Sequence, residues 1–318
     1  MTGETIVSVG AALVDVSHEV VEAVATGAPV VALESAVFSH GLPPERARTL
    51  ARRAQALLRQ AGVTPALCAV RAGQCVVGAP LDDLAFLLGP GTVKVARRDL
   101  PVAVARGAHG GTTVSATLAL AHTAGVATLA TGGIGGVHVG VADSWDVSPD
   151  LGALAQHPLM VVCTGAKALC DIPKTVEALE TAGVTVVGYR TATFPAFYAG
   201  DSGVPVPHRV ETPDEVAAIA QAKGRLGDHT ALLVVQPPPA GAALDAAAIQ
   251  RAVAAGYAAA AAAGIGGAQL TPYLLAAVDR ATGGAAVAAN LALLEHNIAL
   301  AAAIEGAWAA RRRGHPQA

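Results

Sequence analysis

Charged and aromatic residues are scarce in this chain. Of its 318 residues, 14% are charged and 3% aromatic, and the net charge is −3. So little positive charge leaves no electrostatic footprint for a nucleic acid and no polybasic patch for a membrane surface. Cysteine is sparse too. Cys68, Cys75, Cys163 and Cys170 include no CxxC pair, which argues against a disulfide scaffold and points to reduced, buried thiols in a cytoplasmic protein. No signal peptide is expected, because Glu4 interrupts the start and no charged segment precedes the apolar stretch from Ile6. Long uninterrupted apolar runs are also missing. Asn290, Glu295, His296 and Asn297 break the C-terminal one, so it reads as a buried helix rather than a membrane span.

What is present is apolar bulk with a regular rhythm. Hydrophobic residues make up 53% of the chain, and the mean hydropathy is +0.49. Strand-length runs fall at 29–34, 67–71, 75–78, 93–96, 126–131, 159–163, 184–189 and 230–235. Helix-length segments fall at 18–26, 43–62, 81–88, 112–124, 168–182, 212–225, 245–263, 268–281 and 284–312. The strand runs are almost continuously Val, Leu, Ile and Ala, as in strands buried on both faces. Their alternation with helices predicts a three-layer α/β/α fold with a largely parallel central sheet. No segment has the composition of a linker, so residues 1–318 are expected to form a single catalytic domain.

In such sheets ligands collect beyond the carboxyl ends of the strands. Glu34, Gly132 to Gly136, Lys167 and Gln236 each follow a strand run. Lysine is itself rare: Lys94, Lys167, Lys174 and Lys223 are the whole set among 21 basic residues. Lys167 follows MVVCTGA, where desolvation would lower its pKa and expose a neutral amine able to attack a carbonyl. The equal alternative at this stage is a phosphate-binding lysine at a helix N-terminus. Glu34 closes five apolar residues, so a raised pKa and a proton-donor role are expected; helix capping is its alternative.

Other candidates are less pointed. Asp143, Asp146 and Asp150 in DSWDVSPD suit a hard cation such as Mn2+ or Mg2+, although Asp150 equally suits capping. His138 lies just upstream. The run from Gly132 to Gly140 is not a dinucleotide fingerprint, because His138 falls where the third glycine belongs and no clear helix follows. That argues against a nucleotide-dependent oxidoreductase. Thr112 and Thr113 open an expected helix and could cradle a phosphate, with ordinary capping as the alternative.

Taken together, VALESAVFSHGLP (31–43), KVARRDLP (94–101), GGTTVSAT (110–117), ATGGIGGVH (130–138), WDVSPDL (145–151), VVCTGAKALCDIPKTVEALETAGVTVVGY (161–189), FPAFY (194–198), TPYLL (271–275) and ANLAL (289–293) resemble the pseudouridine-5'-phosphate glycosidases. The resemblance runs over about residues 15–310. It implies that family's indigoidine synthase A-like fold, a homotrimer, and reversible cleavage of a C–C glycosidic bond to uracil and ribose 5-phosphate. By resemblance Lys167 forms an imine with ring-opened ribose, Glu34 is the proton donor and Asp146 holds Mn2+ (or Mg2+). Lys94, Val114, His138, the Ser148 to Asp150 stretch and Asn290 would contact the substrate. The chemistry is consistent with this. A carbon leaving group is far poorer than the oxygen that ordinary glycosidases protonate with paired carboxylates, and an imine at C1' supplies an electron sink.

Four departures from the family pattern stand out. Val139 replaces an arginine, Val235-Gln236-Pro237-Pro238-Pro239 replaces ANPIP, Ala36 replaces the threonine of EST, and His296 stands where asparagine is common. If these residues line the pocket, recognition should change. The expectation at this stage is therefore a specialised enzyme that joins ribose 5-phosphate to an aromatic, non-uracil carbon acceptor, as the alnumycin-type C-glycosynthase does. The alternatives are a pseudouridine-5'-phosphate glycosidase and a catalytically silent sugar-phosphate-binding protein.

Overall fold

A computed structural model of the protein describes residues 14–265 and 270–314. Most of the apolar stretch from Ile6, and residues 268 and 269 of an expected helix, lie outside the described residues. In chain order the strands are β1 (Val14–Val16), β2 (Val30–Leu33), β3 (Thr64–Arg71), β4 (Gln74–Ala79), β5 (Val93–Val95), β6 (Gly110–Thr112), β7 (Thr128–Ala130), β8 (Met160–Cys163), β9 (Thr185–Tyr189), β10 (His208–Val210) and β11 (Leu232–Val235). The helices are α1 (His18–Thr26), α2 (Ala36–His40), α3 (Pro44–Gln60), α4 (Ala85–Leu88), α5 (Leu100–Ala105), α6 (Val114–Thr123), α7 (Val141–Ser144), α8 (Pro149–Leu154), α9 (Ile172–Thr181), α10 (Pro213–Arg225), α11 (Ala246–Ala262), α12 (Leu270–Ala281) and α13 (Ala285–Gly314).

All these strands join one sheet, in the order β1-β4-β3-β2-β7-β8-β11-β9-β10, with β6 bridging β3 and β5. The pairing is parallel except where β3 meets β4 and β6. Alternate residues of the central strands feed two separate cores. Val30, Ala32, Val161 and Cys163 pack on the side of α1, α6, α8 and α9. Val31, Leu33, Met160 and Val162 pack on the side of α3, α10 and α13. Two covered faces explain the continuous apolar runs and give the expected three layers; each buried Val or Leu contributes about 1.5–3 kcal/mol. All four cysteines are free and buried in these cores.

The departures from the expected elements have local causes. Residues 67–71 and 75–78 form an antiparallel hairpin, because only a two-residue turn separates β3 from β4. The helix expected over 168–182 starts at Ile172. Cys170 N–H bonds the Lys167 carbonyl at 2.9 Å, and Asp171 then caps α9 with Pro173 in its first turn. The expected helix 112–124 loses its start because Thr112 belongs to β6. Over 81–88 only the last four residues are helical, after a turn between Pro80 and Asp83.

By length and composition α13 could cross a membrane, but half of its most apolar window is buried within the protein. It lies against the sheet and carries Asn297 and Glu305, both almost wholly buried.

Candidate active site

The carboxyl ends of the neighbouring strands β2, β7 and β8 open onto one pocket of about 540 Å3, its solvent-facing mouth included. Glu34 enters from the end of β2 and Lys94 from β5. Gly132 and Gly133 follow β7, Lys167 follows β8, and Asn290 reaches in from α13. The rest of the wall is Ala36, Val37, His40 and Gly41 around α2, Phe197, and Thr271, Pro272 and Leu275 from α12. Four of the residues picked from sequence therefore meet: Lys167, Glu34, Lys94 and Asn290.

Lys167 does not sit at a helix start. Its backbone N–H bonds the Ile134 carbonyl at 2.9 Å, beside an isolated bridge between Ala166 and Ile134, and α9 begins only at Ile172. The helix-terminus phosphate reading thus loses its premise. The amine also has a different charge state from the one expected. Burial acts to lower its pKa, but the negative charges of Glu34 and then Asp150 act the other way, and the net shift is upward. The neighbouring carboxylates thus favour the ammonium form of Lys167 over the neutral amine.

Glu34 is 7% exposed, and the Thr131 hydroxyl donates to its Oε1. Burial raises its pKa, opposed chiefly by Lys167 and the Thr131 hydrogen bond. A carboxyl displaced upward holds its proton more readily than a free one, which suits it to acid–base work. Burial, and next the Lys167 charge, depresses Lys94. His40 is depressed by burial and by Lys94, so an imidazole inclined to neutrality also faces the pocket. Sequence reasoning missed His40 and Phe197, although the segments that carry them, SHG and FPAFY, were prominent.

The remaining candidates fall outside this lining, and their contacts explain why. Asp150 is 3% exposed; Oδ1 accepts from Ser115 N at 2.9 Å and Oδ2 from Gly135 N at 2.8 Å. It ties the first turn of α6 to the glycine loop and acts on the lysines through its charge. Ser148 caps α8 and accepts from Asp150 N at 3.2 Å. Thr112 is fully buried; its hydroxyl donates to the Cys68 carbonyl at 2.7 Å. Thr113 shares its hydroxyl with Ser115 at 3.0 Å. These hydroxyls brace β3, β6 and α6 together, so of the expected phosphate cradle only the backbone N–H groups at the start of α6 remain as candidates. Val114 is wholly in the core.

His138 and Asp146 pair at 2.9 Å, Nδ1 to Oδ2. Burial lowers the histidine pKa, with Asp146 opposing. A Mn2+ or Mg2+ ion on Asp146 would have one half-exposed carboxylate already engaged by an imidazole. Among the described residues no group of three His, Cys, Asp or Glu could enclose an ion. An ion on Asp146 would therefore draw most of its ligands from water or substrate oxygens, as Mg2+ commonly does.

Three of the four substituted positions are likewise not pocket walls. Gln236 is buried and donates Nε2 to Asn297 Oδ1 at 2.9 Å. Val139 is 49% exposed and absent from the lining. The amide missing at His296 is supplied next door, where Asn297 Nδ2 bonds the carbonyls of Thr131 at 2.8 Å and Gly132 at 3.2 Å. Of the four departures only Ala36 touches the pocket, so they do not reshape it for a non-uracil acceptor.

A rare lysine and a buried carboxyl, converging beyond the carboxyl ends of central parallel strands, define an α/β enzyme equipped for lysine-dependent chemistry on a small molecule. The chain belongs to the family described as Indigoidine synthase A like protein, whose model matches residues 19–307. It is 46% identical to a pseudouridine-5'-phosphate glycosidase of Methylobacterium nodulans, across 96% of this chain and 91% of that one. With the enzyme of the same name from Saccharopolyspora erythraea it shares 47% identity across 92% and 97%. Among solved structures it matches the prealnumycin C-glycosynthase AlnA in complex with ribulose 5-phosphate, with a TM-score of 0.88, 34% identity, and 95% and 99% of the two chains covered. An indigoidine synthase A-like protein from Thermotoga maritima matches with a TM-score of 0.84 at 34% identity, over 92% and 96%.

Proposed function

We propose that this chain is a C-glycosidic-bond enzyme that cleaves pseudouridine 5'-phosphate to uracil and ribose 5-phosphate, reversibly, through an imine on Lys167. The observation that carries this is the meeting of Lys167 and Glu34 in one pocket, in a chain 46% and 47% identical to relatives named for that activity. Those relatives outweigh the 34% identity to AlnA. With the departures placed outside the pocket or reduced to Ala36, uracil is the preferred acceptor.

The chemistry follows from the pair. Lys167 first passes a proton to Glu34. The neutral amine then forms a bond to C1' as the bond from C1' to the ring oxygen breaks, and the proton shed by the attacking nitrogen passes to that oxygen. The nitrogen lone pair next expels the base: the C1'–C5 electron pair goes to C5, Glu34 protonates that carbon, and C1'=N remains. Water hydrolyses the imine to the ribose 5-phosphate aldehyde and restores the amine. Lys94 adds positive charge for the anionic substrate, and Asn290 supplies an amide at the pocket wall.

Two measurements test this. Incubation with pseudouridine 5'-phosphate should release uracil, and Glu34→Gln should slow release about 10²–10⁴-fold. Borohydride with ribose 5-phosphate should leave a reduced adduct that maps to Lys167. An adduct without uracil release would defeat the choice of uracil. No adduct at all would defeat the imine and favour a silent binding protein.

A further inference from the structure

Phe197 combines three unusual features. Its backbone is left-handed, with φ of +59°, a conformation that costs a bulky residue about 1–3 kcal/mol. Its side chain is buried, yet among the described residues it is the one Phe, Tyr or Trp in the pocket lining. And the chain around it lacks side chains where they would collide with it. A Cβ on Gly133 would lie 2.6 Å from Phe197 Cδ2, and one on Gly165 would lie 1.9 Å from the Pro195 carbonyl oxygen. Gly165 itself has φ of +68°. The segment is thus pressed directly onto the two loops that follow β7 and β8. Phe197 N–H bonds the Thr164 carbonyl at 3.2 Å, three residues before Lys167, and its ring meets Tyr198 edge-on at 4.6 Å and 65°.

An ordinary core phenylalanine needs none of this. Strain that persists at a pocket wall, held by neighbours that leave no alternative, marks a side chain whose position matters to the site. The ring lies across Gly133 and close to Gly132, whose own Cβ direction points at Asn290 Oδ1 at 3.3 Å. An aromatic ring and an amide are thus adjacent on the pocket wall. That combination suits a planar heterocycle with polar edges, with stacking for its face and hydrogen bonds for its rim.

We propose that Phe197 is a specificity-determining residue that binds the planar leaving base, and that it contributes little to recognition of the ribose phosphate. This rests on the C-glycosidic reading above. The test uses the full-length enzyme, Phe197→Leu, which keeps apolar volume without a planar face, and Phe197→Tyr, which restores the plane. The KM for uracil, measured with ribose 5-phosphate in the bond-forming direction, should rise about tenfold in Phe197→Leu and return to within about threefold of wild type in Phe197→Tyr. Borohydride trapping of ribose 5-phosphate on Lys167 should be unchanged in both. An unchanged uracil KM in Phe197→Leu would overturn the proposal. So would an equal loss of trapping and uracil use, which would make the ring a structural support. A wild-type enzyme that forms no C–C bond with uracil would instead overturn the function on which the proposal rests.

Discussion

Asn297, near the middle of α13, donates its amide to the carbonyl of Thr131 at 2.8 Å. Thr131 in turn gives its hydroxyl to Glu34. The C-terminal helix thereby fixes the end of β7, and through it the carboxyl at the end of β2. Asn297 also accepts from Gln236 and sits 3.0 Å from the Thr164 hydroxyl, so one buried amide joins the ends of β7, β8 and β11.

Replacing Asn297 with Ala would orphan the Thr131 carbonyl, the Thr164 hydroxyl and the Gln236 amide in a dry site, while the Gly132 carbonyl keeps its bond from Thr164 N–H. Since each unsatisfied buried polar group costs about 1–3 kcal/mol, a loss of about 3 kcal/mol or more is expected in urea unfolding. Uracil release should also fall under conditions where the variant remains folded, because Thr131 would no longer be held against Glu34. Full activity in a destabilised but folded variant would show that the amide serves stability alone.

Asp150 raises the pKa of Lys167 and of Lys94 through its charge. Asp150→Asn removes that charge while keeping an oxygen for one of the two amides. With less negative charge nearby, the Lys167 ammonium is less favoured and its pKa falls. Imine formation needs the neutral amine, so the pH profile of borohydride trapping should move to lower pH. A shift to higher pH, or none, would count against electrostatic control by Asp150.

Glu305 lies far from the pocket, 1% exposed, where it accepts from Thr128 and from Arg312. Burial raises its pKa from 4.5 to about 7. A carboxyl raised on folding binds its proton more tightly in the native state, so its contribution is fully present at low pH and is lost as pH rises through about 7. The difference between Glu305→Gln and wild type should therefore change by up to about 3 kcal/mol between pH 4.5 and 7.5, with the variant gaining relative stability as pH rises. Denaturant melts at several pH values measure this, and parallel curves for the two proteins would refute it.

Much of the fold could be read from residues alone. Strands with both faces apolar, separated by helix-length segments, leave a covered parallel sheet as the stable arrangement, and α1 fell at its expected residues 18–26. The rule that ligands gather at the carboxyl ends of strands placed Glu34 and Lys167 together before any coordinates did. The hairpin of β3 and β4 and the late start of α9 depended on turn chemistry that apolar periodicity does not carry.

The sequence by itself determined the layered fold and singled out Lys167 and Glu34 as the candidate pair, because burial pattern and residue scarcity are local properties. Only the tertiary structure decided what the other polar residues do. Hydrogen bonds between groups far apart in sequence turned Asp150, Thr112 and Gln236 from candidate ligand contacts into braces, and the folded arrangement of the chain put Phe197 and His40 on the pocket wall. The charge state of Lys167 was decided in the same way. Its preceding strand predicts desolvation and a lowered pKa, but the carboxylates of Glu34 and Asp150, which reverse the sign, reach it only through folding.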